Sequence, residues 1–181
     1  MIKFKFLMLF LFILTSCKSN SKNDYKNQPE YVHLAYEIMK NTAKELQNEK
    51  NLRLVGIGGA MMYEVENMHM SFLLLNEFDL DEARDLIVYS ITLFLKNINT
   101  NENIRSYLSH YPFTTKDITI FINMQNANTK INGVALSSDK IIYDSPGDQK
   151  SFESIHEETY EEAVKIVESE KANKEIKSPS E

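Results

Sequence analysis

The sequence predicts a single α+β domain, in which three main helices and a short fourth one cover a mostly antiparallel sheet of about five strands. Apolar residues recur every three to four positions in three separate segments, which is the period of helices with one buried face. Elsewhere they alternate with a period of two, which is typical of strands. The resulting order is helix, strands, helix pair, strands, helix, and we place this globular domain at residues 30–169.

The first helix is expected to begin at Asn27, with Glu30 as its capping-box partner and Pro29 in the first turn. Its buried face is formed by Val32, Ala35, Tyr36, Met39, Ala43 and Leu46. Residues 52–57 and an alternating stretch up to Leu75 then predict two strands, with a third one possible.

The central helix has the clearest start in the chain, because Asp79 is followed by Glu82 at capping-box spacing. Residues 86–95 are apolar almost all round, which predicts the most buried helix. We therefore expect Leu86, Ile87, Ile91 and Phe94 to be nearly inaccessible. A short helical stripe at residues 104–111 follows and ends at Pro112.

The second half of the chain predicts an antiparallel meander and a last helix. Residues 118–124 alternate cleanly, and two further strands follow after short polar turns, up to Tyr143. The last helix is expected to bury Phe152, Ile155, Thr159, Ala163 and Ile166. Beyond Ser169 apolar residues nearly vanish, so residues 170–181 are predicted to be a disordered tail.

The N-terminus has the pattern of an export signal. Lys3 and Lys5 precede nine apolar residues, 6–14, and small residues follow. Nine helical residues span about 13 Å, which is too short for a bilayer core of about 30 Å. This length disfavours a transmembrane anchor, while a secretory signal cut at another position remains an alternative.

The ending Leu14-Thr15-Ser16-Cys17 resembles the lipobox of bacterial lipoproteins. The resemblance implies that residues 1–16 are a signal peptide and that Cys17 is lipidated, which would attach the protein to the membrane. The polar residues from 18 to 29 then form a flexible tether after the lipidated cysteine. Lys18 stands where this family places an inner-membrane retention aspartate, which favours the outer membrane if the cell has two membranes.

Charge and cysteine content restrict the partners. The chain has a net charge of −6, and loss of Lys3 and Lys5 with the signal (20 − 2 = 18 basic against 26 acidic residues) leaves −8. This balance disfavours nucleic acid and favours a basic envelope protein or polymer. Cys17 is the only cysteine, so no internal disulfide can form. No cofactor is expected.

Several candidate sites have a plain structural alternative. Residues 56–59, Gly-Ile-Gly-Gly, resemble a phosphate loop, but a bulge or tight turn in the sheet explains them better because no helix follows. His33 and Glu37 lie one helical turn apart and could supply two metal ligands, yet no third ligand is identifiable, so no metal site is assigned.

His69 and Ser71 share one strand face and could line a cleft, although same-face neighbours lie about 7 Å apart along a strand. They are the best guess for a catalytic pair if the protein is an enzyme. A second cluster comprises His156, Glu157, Glu158, Glu161 and Glu162, and its pattern predicts the solvated face of the last helix.

Polar and aromatic residues concentrate around the helix pair. Arg84 and Asp85 beside an apolar helix are expected to be paired. With Arg105, Asn99, Tyr107 and residues 111–114, they indicate a lock between the helix pair and the sheet, or alternatively a recognition surface around Tyr111 and Phe113. Residues 52–122 resemble a module of small exported bacterial proteins of no known activity, and this resemblance implies no functional residues.

The sequence thus favours a lipid-anchored envelope protein that binds or scaffolds another component and is not an enzyme. Two alternatives stay open at this point: a periplasmic or surface enzyme with an unmarked site, and an accessory or inhibitory protein of another envelope component.

Overall fold

The computed structural model describes residues 26–76, 78–124, 131–145 and 154–177 of the 181-residue chain. These residues form a six-stranded sheet and three helices, which confirms the predicted α+β class with slightly more strands than expected. The helices are α1 (Glu30–Lys50), α2 (Leu80–Thr100) and α3 (Tyr160–Lys177). The strands are β1 (Arg53–Ala60), β2 (Asn67–Leu74), β3 (Ile118–Met124), β4 (Gly133–Ser137), β5 (Lys140–Asp144) and β6 (Ser154–Thr159).

The strands lie in the sheet in their order along the chain. All neighbours are antiparallel except β2 and β3, which are parallel. A parallel pair needs a long crossover, and α2 supplies it between these two strands. The predicted antiparallel meander of β3, β4 and β5 is confirmed, and it continues into β6.

The core lies between the helices and one face of the sheet. Alternate residues of β2 and β3 are buried there, namely Met68, Met70, Phe72, Leu74, Ile118, Ile120, Ile122 and Met124. Helix α2 packs against both α1 and α3, so it is the middle helix of the layer. Leu86, Ile87, Ile91 and Phe94 are at most 4% exposed, which confirms the prediction for the central helix.

The two predicted helix starts have different outcomes. Asp79 accepts a hydrogen bond from the Glu82 backbone N–H, and the Glu82 carboxylate accepts one from Asp79 N–H, so the capping box of α2 is confirmed. For α1 the prediction is wrong, because Pro29 is the N-cap residue and no side chain caps the helix. A proline N-cap brings no side-chain acceptor, so α1 is held by its packing instead.

The last helix begins later than predicted. Residues 154–159 form strand β6, and Ile155, expected in the core, is 49% exposed. Thr159 is exposed and caps α3, because its side chain exchanges hydrogen bonds with Glu162. Ala163 is buried as predicted, whereas Ile166 is only half-buried. The helix continues to Lys177, past the residue at which the sequence predicts order to end, and Phe152 lies outside the described residues.

The short helix between α2 and β3 is reduced to one 3₁₀ turn, Arg105–Tyr107. Ile104 and Leu108 beside it are buried, as their spacing predicts. No helix in the described part of the chain is long and apolar enough to cross a membrane. Cys17, the signal peptide and most of the tether lie outside the described residues, so their roles stay predictions.

Candidate functional site

A groove of about 600 Å³ lies where the three helices converge. It is bounded by the end of α1 at Lys50, by the first two turns of α2, and by the second half of α3. Phe78 also lines it, directly before the α2 capping box. The acidic side chains at the start of α2 suit their position, because the positive N-terminal end of a helix stabilises negative charge.

The groove is acidic. Its carboxylates are Asp79, Asp81, Glu82, Asp85 and Glu170, and its cations are Lys50 and Lys171. The sum of these formal charges is −3. Asp85 contacts both lysines, with its carboxylate 2.9 Å from Lys171 Nζ and 3.8 Å from Lys50 Nζ, so the predicted pairing of Asp85 is confirmed.

The floor of the groove is apolar. Leu86 and Val167 are buried, and Phe78 is half-buried against the hydrophobic core. A ligand in this groove would therefore meet hydrocarbon at the bottom and carboxylates around the rim. This arrangement suits a group with an aliphatic stem and a cationic end, such as a lysine or arginine side chain.

A buried ion pair fixes the start of α2 next to the groove. Arg84 Nε donates to Glu158 Oε1 at 2.8 Å, and its Nη1 donates to Asp81 at 2.7 Å. Burial alone would lower the pKa of Arg84, but the hydrogen bond and charge of Glu158 outweigh it and raise that pKa. The predicted pairing of Arg84 is thus confirmed.

Tyr143 completes this network, donating its hydroxyl to Glu158 Oε1 at 2.5 Å. Burial, and then the hydrogen bond and charge of Glu158, raise the pKa of Tyr143 far above its ordinary value. The prediction that Glu158 lies on a solvated helix face is therefore wrong. Glu158 is on β6, points into the helix-covered side of the sheet and is buried.

The other members of that acidic cluster have different surroundings. Glu157 is exposed and lies 3.7 Å from Lys140 on the adjacent strand. Glu161 is exposed, and Glu162 caps α3, where hydrogen bonds from the Thr159 backbone and side chain lower the pKa of its carboxyl. His156 Nε2 is buried and lies 3.5 Å from Glu158 Oε2, and it has no hydrogen-bond partner among the residues that the structure describes.

His69 and Ser71 do meet, on the sheet face opposite the helices. His69 Nε2 lies 2.8 Å from Ser71 Oγ, a hydrogen bond that the 7 Å strand spacing argued against. The two side chains lean toward each other, and the Phe121 ring packs on the imidazole at 5.2 Å. Burial lowers the pKa of His69, which favours the neutral ring. Strand β2 pairs with β1 on one side and with β3 on the other. Its backbone N–H groups are therefore used by the sheet and are not available to form an oxyanion hole beside His69 and Ser71.

The metal and phosphate interpretations gain no support. His33 and Glu37 both lie on α1, and the described residues contain no group of three or more His, Cys, Asp or Glu side chains suited to a metal ion. Strand β1 continues to Ala60, so residues 56–59 do not open a helix. A register shift between Leu54 and Gly56 lies directly before this stretch, whereas residues 56–59 themselves pair regularly with β2.

The segment before β3 is a lock between α2 and the sheet. Asn99 accepts from Phe113 N–H and donates to the Phe113 carbonyl, while Tyr111 donates its hydroxyl to the Asn99 carbonyl. Phe113 is buried, so it cannot belong to an exposed recognition surface. The guanidinium of Arg105 lies over the Tyr111 ring, 4.6 Å from its centre.

Two features of the structure were not predicted from the sequence. The first is a hydrogen-bonded chain in the same segment, from Ser109 through His110 to Asp117, with distances of 3.3 and 2.9 Å. Asp117 also accepts two hydrogen bonds from Thr114, so this chain braces the loop. The second is the groove itself, whose residues come from three helices. The acidic run at the start of α2 was its only local signal.

Comparison with known proteins found no match: no family model, no curated protein sequence and no solved structure is similar to this chain. The candidate site therefore rests on the geometry described above.

Proposed function

We propose that this protein is a lipid-anchored binding or scaffolding protein of the cell envelope and acts without catalysis. It takes a basic segment of another envelope component into the acidic groove. The observation that carries this proposal is the combination of an apolar floor with a rim whose described residues have a net formal charge of −3. Carboxylates around hydrocarbon favour lysine and arginine side chains and repel nucleic acid.

The groove and the proposed tether lie at opposite ends of α1. Lys50, at the end of α1, lines it, and the proposed tether joins α1 at its other end. A helix of 21 residues is about 30 Å long, so the groove lies roughly that distance along α1 from the tether. A partner could therefore reach it beyond the headgroup layer. The same argument applies on either membrane of a two-membrane cell.

The lipid anchor is tested by the Cys17→Ser variant. If Cys17 carries lipid, the variant should accumulate as an uncleaved precursor or leave the membrane fraction, because acyl chains supply the anchoring energy. Fractionation of the envelope and mass spectrometry of the N-terminus measure both effects. Membrane retention of a correctly cleaved Cys17→Ser protein would contradict the anchor.

The groove is tested by replacing Phe78 with the photo-crosslinking residue benzoylphenylalanine in the tethered, full-length protein. Irradiation of the native envelope should join it to lysine- or arginine-rich segments, which mass spectrometry identifies. The yield should fall several-fold as salt rises from about 0.05 to 0.5 M, because the contacts are electrostatic.

Two controls separate the groove from its surroundings. The same crosslinker at Tyr63, an exposed residue remote in sequence from the groove, should not give these adducts. Asp79→Asn combined with Glu170→Gln should lower the Phe78 yield, since asparagine keeps the helix cap but loses the charge. The matched variant Glu168→Gln, on α3 outside the groove lining, should not. Identical adducts from both crosslinker positions would overturn the proposal.

A further inference from the structure

A second groove, of opposite charge, is lined by other residues of α1. It measures about 590 Å³ and lies between α1 and the start of β1. Lys40, Lys44 and Arg53 line it, together with Gln47 and Asn48, and the described lining contains no carboxylate. Ala43 is buried in its floor and Leu54 is half-buried. A basic groove is unexpected on a chain of net charge −6, which makes it a distinct feature.

The groove adjoins an open strand edge. Strand β1 is the first strand of the sheet and pairs with β2 alone, so its other edge has no strand partner among the described residues. A bulge interrupts its register between Leu54 and Gly56. From Gly56 to Ala60 the register with β2 is continuous, and this stretch contains no charged residue and no proline.

The opposite edge of the sheet is protected in a way that β1 is not. Strand β6 carries His156, Glu157 and Glu158, and charged side chains on an edge discourage pairing with another chain. On β1 the corresponding stretch is Gly-Ile-Gly-Gly-Ala. A side chain at Gly58 would meet no atom within 4 Å, so the sheet face at this position is open. Val55, at the bulge, is 56% exposed and offers an apolar contact beside the groove.

From this juxtaposition we infer a peptide-binding site in which an extended, acidic segment of a partner protein adds to the edge of β1 as a seventh strand. Its backbone hydrogen bonds to β1, as in other cases of strand addition to a sheet edge. Its carboxylate side chains reach Lys44 and Arg53, both of which are exposed. Charge complementarity selects this occupant over a second copy of the acidic chain, whose net charge would oppose association.

This site is independent of the acidic groove, because different residues of α1 line the two: Lys50 in one, and residues 40–48 in the other. Together they would allow the protein to hold a basic and an acidic partner segment at once. A negative result in the test of one site would therefore not contradict the proposal for the other.

The test uses the full-length chain in detergent and a labelled nine-residue peptide with capped ends, which alternates glutamate with threonine or valine. Fluorescence anisotropy should show saturable binding. The double reversal Lys44→Glu and Arg53→Glu should weaken it tenfold or more, whereas Lys116→Glu, at an exposed residue outside the groove lining, should change it less than twofold. A lysine version of the peptide should not bind.

Backbone pairing is tested separately with two N-methylated peptides, each methylated on alternate residues of one edge. One should bind like the parent and the other should not, because only one edge faces β1. Amide NMR shifts should move in residues 53–60. Equal binding of both methylated peptides, equal binding of the lysine peptide, or self-association in light scattering that the double reversal abolishes would each overturn the inference.

Discussion

Truncating Phe94 to alanine should lower the free energy of unfolding by about 3–5 kcal/mol. Phe94 lies on α2, the helix that packs against both of the others, and its side chain is completely buried. Alanine at this position removes the ring and leaves a cavity that the close-packed neighbours can fill only in part. Urea unfolding, followed by circular dichroism on the purified protein, measures the change.

The matched control for Phe94 is Lys96→Ala, an exposed position two residues further along the same helix. Surface substitutions of this kind usually change stability by less than about 0.5 kcal/mol. A loss below about 1 kcal/mol for Phe94→Ala would show that α2 is not the centre of the core.

Elements with a strong local signal could be predicted from the sequence. The capping box of Asp79 and Glu82 marks the start of α2 because both hydrogen bonds form between neighbours in the chain. The alternation from Ile118 to Met124 marks β3 because one face of that strand is buried and the other is not. The β3–β5 meander follows from its short turns.

Strand β6 could not be predicted because its inward-facing residues are polar. Glu158 faces the core side and is stabilised by Arg84 and Tyr143, which lie 74 and 15 residues away in the sequence. Apolar residues therefore do not alternate along this strand. Their spacing matched a helix better, so residues 154–159 were assigned to the last helix. The parallel pairing of β2 and β3 was missed for a related reason, since alternation indicates a strand but not its direction.

The groove, which is the candidate site, could not be predicted from the sequence either. Phe78, Val167 and Lys171 meet only because α3 packs back on the start of α2. Asp79 and Glu82 were correctly interpreted as helix caps, and the same side chains line the groove. The capping role of these two residues depends on neighbours in the chain and can be predicted from the sequence. Their place in the groove depends on the packing of α3 and cannot.

Replacing Glu158 by leucine should lower the free energy of unfolding by about 3–5 kcal/mol, mainly through charge rather than volume. The variant leaves the buried Arg84 without its inner partner, since Asp81 is mostly exposed and contacts only Nη1. It also leaves the Tyr143 hydroxyl without its acceptor. An uncompensated buried charge is among the most costly defects of a protein interior. Tyr143→Phe, which keeps the ion pair, should cost only about 1–2 kcal/mol.

The double variant Arg84→Met with Glu158→Leu decides between charge and volume. It removes both charges and fills the site with apolar side chains, so it should regain at least about 2 kcal/mol of the loss seen in Glu158→Leu alone. Urea unfolding of wild type, both single variants and the double variant gives the coupling energy directly. If the double variant is as unstable as the sum of the two single variants, Arg84 and Glu158 are not coupled. Glu158 would then hold β6 in place by packing, and the start of α2 would depend on its capping box alone.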